Sequence, residues 1–350
     1  MIFTEGKVRI RAGLDQGGTG PGKKSPGFFN RSQETNRNIT IAVLNTFLPQ
    51  KVLDGFGGTG IRGIRIAKEL GLGVTIAEPD ERSLSIIKEN AKLNDADVEI
   101  IYGRFEEIAA SRRFDYVDID PYGSPISFLY DGIKSVKNGG MLGITATDLT
   151  GLTGSSPSKT YRRYGARIIC DNFKHETGVR LLISAVIRHA AAMDIAAVPV
   201  LSVWNSHYYR LFFRLRTGAA LADRLISSIS TVDKHEIVSP DLPSTREGPL
   251  WLGNLHQQDI AHMLKIPPWI SIADRYLESF SSDNLEVFFI DSALEASWRK
   301  GDMPQINKII KLLTESGIRC GRTQFSGTGI KTSDPGETRK TVQSLIPMHS

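Results

Sequence analysis

The segment DYVDIDPYGSP, residues 115 to 125, ends an apolar run on a carboxylate, a proline, an aromatic ring and a glycine. Such a set can hold an exocyclic –NH2 group. The Asp120 carboxylate and adjacent carbonyls accept its N–H bonds, which directs the nitrogen lone pair at a methyl donor. Pro121 fixes φ and removes a competing donor, Tyr122 offers a face for base stacking, and Gly123 permits close approach. DPYG alone is also an ordinary β-turn sequence, so its meaning depends on where the fold puts it.

A second group of residues lies in LDGFGGTGIRG, 53 to 63, where a strand hands over to a helix. Glycines there let the backbone approach a ligand, and the helix N-terminus offers free N–H groups. The same turn serves dinucleotide enzymes and S-adenosylmethionine enzymes, and a plain tight turn reads alike. Glu78 ends the next strand, roughly two dozen residues after Asp54 and near the ~20 at which a carboxylate meets ribose hydroxyls. A helix-capping or solvated glutamate is the alternative for that position. Asp54 discriminates between cofactors: it would repel a pyrophosphate but attract the ammonium or sulfonium of S-adenosylmethionine.

The elements that must position these groups alternate regularly. Strands are expected at 51–54, 73–78, 97–101, 114–120 and 140–147, and helices at 59–70, 80–94, 104–111 and 126–137. This predicts a doubly wound parallel sheet in which the fourth strand lies beside the first, so that Asp120 and the glycine turn share one crevice. A helix at 178–193 and paired strands at 197–204 and 208–216 would close one side with an antiparallel strand. Residues 13–27 are expected to form a mobile loop and 237–254, rich in Pro, Gly and Ser, a linker. Mostly short helices follow it.

Composition is that of an ordinary soluble protein, with 40% hydrophobic and 23% charged residues, and a net charge of +5 suits an anionic partner. Two cysteines without a CxxC support neither a disulfide framework nor a cysteine zinc site, and imply a reducing, cytoplasmic setting. Membrane association is not expected, because no apolar stretch reaches transmembrane length.

Several separate segments resemble one family, the archaeal and eukaryotic tRNA guanine-26 N2-methyl- and dimethyltransferases. EGKVRI (5–10) and FFNRSQETNRNIT (28–40) are similar to its N-terminal signature, DGFGGTGIRGIR (54–65) to its cofactor loop and DIDPYGSP (118–125) to its catalytic motif, with Tyr122 where phenylalanine is usual. YGARIICDNFKHETGVRLL (164–182), HYYRLFFRL (207–215) and RTQFSGTGIKT (322–332) also match. The resemblance implies a class I S-adenosylmethionine-dependent methyltransferase, with a Rossmann-like, mostly parallel seven-stranded sheet and a smaller α+β C-terminal domain. Residues 1–50 would pack on a methyltransferase domain at 51–236, and 255–350 would bind tRNA.

Cofactor contacts are implied for Arg37, Arg62 and Glu78, with Arg104 and Phe105 the nearest matches for the adenine contact. Asp120 would engage the guanine amino group, with Tyr122 and Phe28 as aromatics near the base. No metal is expected, since the linker lacks the cysteine cluster of some relatives. Arg162, Arg163, Arg167 and Lys174 suit phosphate contacts, and Arg319, Arg322 and Lys331 suggest RNA contacts from the C-terminal unit. His175, Glu176 and His207 match the family and are either functional or structural. The competing classes are an N-methyltransferase of rRNA or DNA, a nicotinamide-dependent oxidoreductase and a non-catalytic RNA-binding module. Mono- against dimethylation and oligomeric state are left open.

Overall fold

Strands such as KVLD and VTIAE carry apolar residues on successive positions, which a sheet can bury only if both faces are covered. The computed structural model describes residues 1–12, 27 and 29–346. Phe28 and all of the expected mobile loop except Gly27 lie outside the described residues.

The chain opens with a hairpin, β1 (Ile2–Glu5) and β2 (Val8–Arg11), and helix α1 (Glu34–Phe47). There follow β3 (Lys51–Asp54), α2 (Ile61–Leu70), β4 (Gly73–Glu78), α3 (Glu81–Leu93), β5 (Val98–Tyr102), α4 (Phe105–Ser111), β6 (Phe114–Ile119), α5 (Leu129–Ser135) and β7 (Val136–Ala146). Helices α6 (Leu149–Leu152), α7 (Pro157–Tyr164) and α8 (Lys174–Ala191) lead into β8 (Ile195–Asn205) and β9 (Tyr208–Thr217). The seven strands order as β5-β4-β3-β6-β7-β9-β8, with β3 to β7 parallel and β9 antiparallel to both neighbours. The order reverses between β3 and β6, where Asp54 and Asp118 are register partners.

Alternation along each strand separates two cores. Leu53, Val117 and Leu142 face the layer that holds α4, α5 and α8, while Val52, Tyr116 and Met141 face α1, α2 and α3. A hydrophobic face on each side fixes the register, because a one-residue slip would expose both sets.

The expected linker folds instead. Arg246–Trp251 forms β11, antiparallel to β10 (Ile229–Asp233), and buries Leu250 and Trp251 against α8. Its Pro and Gly content suggested a spacer, but the apolar pair at its end gave it a core to join. Beyond it, β12 (Ile290–Asp291), β13 (Cys320–Arg322) and β14 (Gly329–Thr332) form a small sheet beside helices Ile306–Glu315 and Pro335–Ser344. This region is tied to the large sheet. The Gln257 N–H donates to Val200 O (2.9 Å), the Ser202 N–H to His256 Nδ1 (3.2 Å) and the Trp204 N–H to Gln324 Oε1 (2.7 Å), while Gln324 Nε2 donates to Ser202 O (3.0 Å).

Lys331 corrects the reading of the late basic residues. It is fully buried, with Nζ 2.7 Å from Glu176 Oε1 and 2.8 Å from Glu286 O, so it is a structural cation rather than an RNA contact. Glu176 also accepts from Arg180 Nε (2.9 Å) and the Phe288 N–H (2.9 Å). Among the described residues no helix is long and apolar enough to cross a membrane, and no three His, Cys, Asp or Glu side chains gather as a metal-holding group.

Candidate active site

The crevice forms where β3 and β6 diverge. Glycine is required at two of its turns: Gly60, at φ +78°, caps α2, and Gly123, at φ +86°, lets the chain turn after Asp120. That second turn is stitched to the end of β7, with the Gly123 N–H donating to Thr147 Oγ1 (2.8 Å) and the Thr147 N–H donating to Gly123 O (2.9 Å). Ser124 Oγ adds a bond of 3.0 Å to the Tyr164 hydroxyl, which also lies 3.3 Å from Asp148 Oδ2. The motif is therefore a fixed platform.

Asp120 and Arg62 meet in the crevice, where Arg62 Nη2 donates to Asp120 Oδ2. Arg62 Nη1 donates to Thr40 Oγ1 (2.9 Å) and Asn36 Oδ1 (3.2 Å), both from α1, and its Nε lies 3.5 Å from Asp118 Oδ1. Asp118 is fully buried and is held by Arg210 and by the Tyr116 hydroxyl (2.5 Å). Burial alone would raise the Asp118 pKa, but Arg210 and Arg62 outweigh it and hold the carboxyl below the usual range. Burial likewise opposes the charge on Arg62, yet Asp118, Asp120 and Asp54 push its pKa further up.

Asp54 sits at the end of β3 and accepts the Gly63 N–H at 2.9 Å. Burial first, then the nearby Asp118 and Asp120, push its pKa to about 7, against Arg62 and the Gly63 N–H. The inner crevice holds the carboxylates of Asp54, Asp118 and Asp120 against the guanidiniums of Arg62 and Arg210. With all three carboxyls ionised, one negative charge is in excess. That balance fits the ammonium and sulfonium of S-adenosylmethionine and opposes a pyrophosphate.

Glu78 ends β4 and receives the Gly58 N–H (2.8 Å) and the Asp80 N–H (2.9 Å). A carboxylate has about four acceptor sites, so these two bonds leave capacity for ribose hydroxyls. Burial raises its pKa above the usual value. Tyr122 is 52% exposed, and burial of the rest, with Asp120 and Glu78 nearby, pushes its hydroxyl up to about 12.

The other expected residues are more dispersed. Arg37 faces the N-terminal hairpin: its Nε and Nη2 donate to Glu5 at 2.6 and 2.5 Å, and the guanidinium lies 5.3 Å from the Phe29 ring centre. Glu5 also receives Arg65 Nη1 (2.8 Å), which explains the EGKVRI signature as an anchor for two buried arginines. The Phe105 ring is buried beneath Gly55 and stacks on Phe56 at 5.3 Å. The Arg104 side chain is 70% exposed and reaches Glu106 at 3.5 Å, away from the inner crevice.

His175 is pressed against Trp204, with ring centres 4.0 Å apart, and burial followed by the Lys174 charge lowers its pKa to about 4. Arg163 and Lys159 converge on Asp148 at 2.6 and 3.0 Å, while Arg162 and Arg167 are exposed.

Sequence reasoning missed Asp118, Arg210, Thr40 and Asn36. A signal was present: Arg210 interrupts the apolar run YYRLFF, and a charge in a buried strand must find a partner.

Comparisons with known proteins agree with this geometry. The family model for N2,N2-dimethylguanosine tRNA methyltransferase matches residues 6–342. A tRNA (guanine(26)-N(2))-dimethyltransferase of Thermoplasma volcanium is 41% identical over 335 residues, covering 96% of each chain. The enzyme of that name from Pyrococcus abyssi is 34% identical, over 91% of this chain and 93% of its own. The structure of Trm1 from Pyrococcus horikoshii with S-adenosyl-L-methionine superposes with a TM-score of 0.83 at 29% identity, covering 99% of both chains. With the motifs at the switch point and the match extending from the N-terminal hairpin to the last helix, the chain belongs to the N2,N2-dimethylguanosine tRNA methyltransferase family.

Proposed function

We infer that the protein transfers methyl groups from S-adenosylmethionine to N2 of guanosine 26 in tRNA, in one or two successive steps. Family membership supports the reaction, and the observation that carries the mechanism is Asp120 held by Arg62 beside the glycine turn. When bound, S-adenosylmethionine supplies an electrophilic methyl group, whose bond to sulfur breaks as its bond to N2 forms. Asp120 Oδ1 accepts one N2–H and turns the nitrogen lone pair toward that methyl group. The proton displaced from N2 then moves along this hydrogen bond to the carboxylate. Tyr122 stacks on the base, and Phe28, outside the described residues, is the second aromatic that the resemblance implies near it. Because the amine of a paired guanosine is enclosed, the base must leave its stack to reach Asp120.

Asp54 meets the cationic side of the cofactor, Glu78 the ribose, and Arg37 and Arg62 the methionine end, with Arg104 and Phe105 toward the adenine. Residues 255–350 and the exposed Arg162 and Arg167 hold the tRNA body. The free cysteines Cys170 and Cys320 suit a reducing cytoplasm.

Incubation with an unmodified tRNA transcript and labelled cofactor should yield N2-methylated guanosine at position 26, and a transcript with adenosine there should take up no label. Label at any other nucleoside would overturn the reading.

Asp54 gives cofactor binding a pH dependence. Near neutral pH the free site is partly protonated, since the Asp54 pKa is about 7, whereas a bound cation requires the carboxylate. Affinity is therefore expected to rise as pH increases through about 7, with proton release seen by calorimetry in buffers of different ionisation enthalpy. For the stability of the free protein the opposite trend is expected. A carboxyl whose folded pKa is raised above its unfolded value contributes stability at low pH and loses it as pH rises from 3.8 toward about 7.

A further inference from the structure

Arg62 is heavily engaged at the crevice, and its bonds run in two directions. Inward, Nη1 is fixed by Thr40 and Asn36, and Nε approaches Asp118. The inner anchor is itself rigid. Arg210 donates to Asp118 Oδ1 (3.1 Å), Thr145 Oγ1 (3.0 Å), Thr40 Oγ1 (3.0 Å) and the Tyr116 hydroxyl (2.8 Å), so Thr40 receives both arginines while donating to Asn36 O (2.9 Å). Outward, Nη2 takes Asp120 Oδ2, and among the described residues Oδ1 accepts no hydrogen bond.

We propose that Arg62 is a positioning residue for methyl transfer: braced by Thr40, Asn36 and the Asp118–Arg210 pair, it orients Asp120 so that Oδ1 receives the guanine amine. This rests on the guanine-N2 reading above, and it goes beyond the cofactor contact implied for Arg62 by resemblance. A carboxylate free to rotate would present either oxygen at a range of angles, and a misplacement near 1 Å can cost about 10²-fold in rate. The charged and titratable groups around Asp120 are Asp54 on β3, Asp118 on β6, Glu78 on β4, Tyr122 on the turn, Arg62 on α2 and Arg210 on β9. Arg62 is the cation that touches Asp120.

The test measures kcat and tRNA KM at saturating cofactor, together with cofactor Kd, for Arg62→Gln, Arg62→Lys and Thr40→Val. The parent must first methylate guanosine 26; if it does not, the function itself fails rather than this assignment. With an active parent, Arg62→Gln is expected to lower kcat at saturating cofactor by about 10²-fold while the tRNA KM stays near the parental value. Arg62→Lys should recover kcat only in part, since a lysine keeps the charge but loses the fork. Thr40→Val, which removes a brace and keeps Arg62, should lower kcat by a smaller factor with the tRNA KM again near parental. If Arg62→Gln weakens cofactor binding but retains parental kcat, or raises the tRNA KM with kcat unchanged, the assignment is overturned. Should Arg62→Gln fail to fold, parental kcat in Thr40→Val overturns it equally.

Discussion

Replacing Asp120 with alanine is expected to lower kcat by about 10²- to 10⁴-fold while cofactor affinity stays within a few-fold of the parent. The side chain is 22% exposed and its removal takes no packing from either core, so the fold should survive. Lost are the acceptor that orients the amine and the group that takes its proton. Asp120→Asn keeps an acceptor oxygen but adds N–H donors facing the amine, and should fall between parent and alanine. Single-turnover methylation at saturating cofactor, with calorimetric Kd for the cofactor, separates the two effects. Parental turnover in Asp120→Ala would remove Asp120 from the chemistry.

The second large effect concerns stability. Glu176→Ala is expected to destabilise the fold by about 3–5 kcal/mol, because it strands Lys331 and Arg180 as buried cations. It also removes the acceptor of the Phe288 N–H, at the point where the C-terminal region enters the large core. Burial, then the nearby Arg180, already depresses the Lys331 pKa against the pull of Glu176. A lysine with a depressed folded pKa gains stability as pH rises, so the loss should shrink toward alkaline pH. Chemical denaturation of parent and variant across pH checks both the size and the sign. A change below about 1 kcal/mol, the range of an exposed pair, would show that the cluster is solvated in solution.

Much of the sheet was legible because its signals are local. The strand at 73–78 falls on the residues read from sequence, and α2 begins only two residues inside the expected 59–70 helix. Those segments combine apolar runs with glycine punctuation, and the reversal of strand order then places Asp120 opposite the glycine turn. The brace behind Asp120 was not legible in the same way. Asp118 and Arg210 are 92 positions apart, and nothing in either segment names the other. Lys331 shows the complementary error: a lysine in SGTGIKT reads as surface charge, and only its pairing with Glu176, 155 positions earlier, makes it core. Pro and Gly content likewise hid β11, whose partner strand β10 lies upstream.

The side chains and backbone that residues 256, 257 and 324 direct at β8 have a consequence for how the protein keeps to itself. β8 is the last strand of the sheet and carries the apolar sequence VPVLSVW, the kind of flat border that recruits strands from other molecules. Its outward groups at Val200, Ser202 and Trp204 are all taken by His256, Gln257 and Gln324. The C-terminal region thus serves as a built-in guard against self-association, and a chain cut before residue 255 would present this border as a template for a second copy.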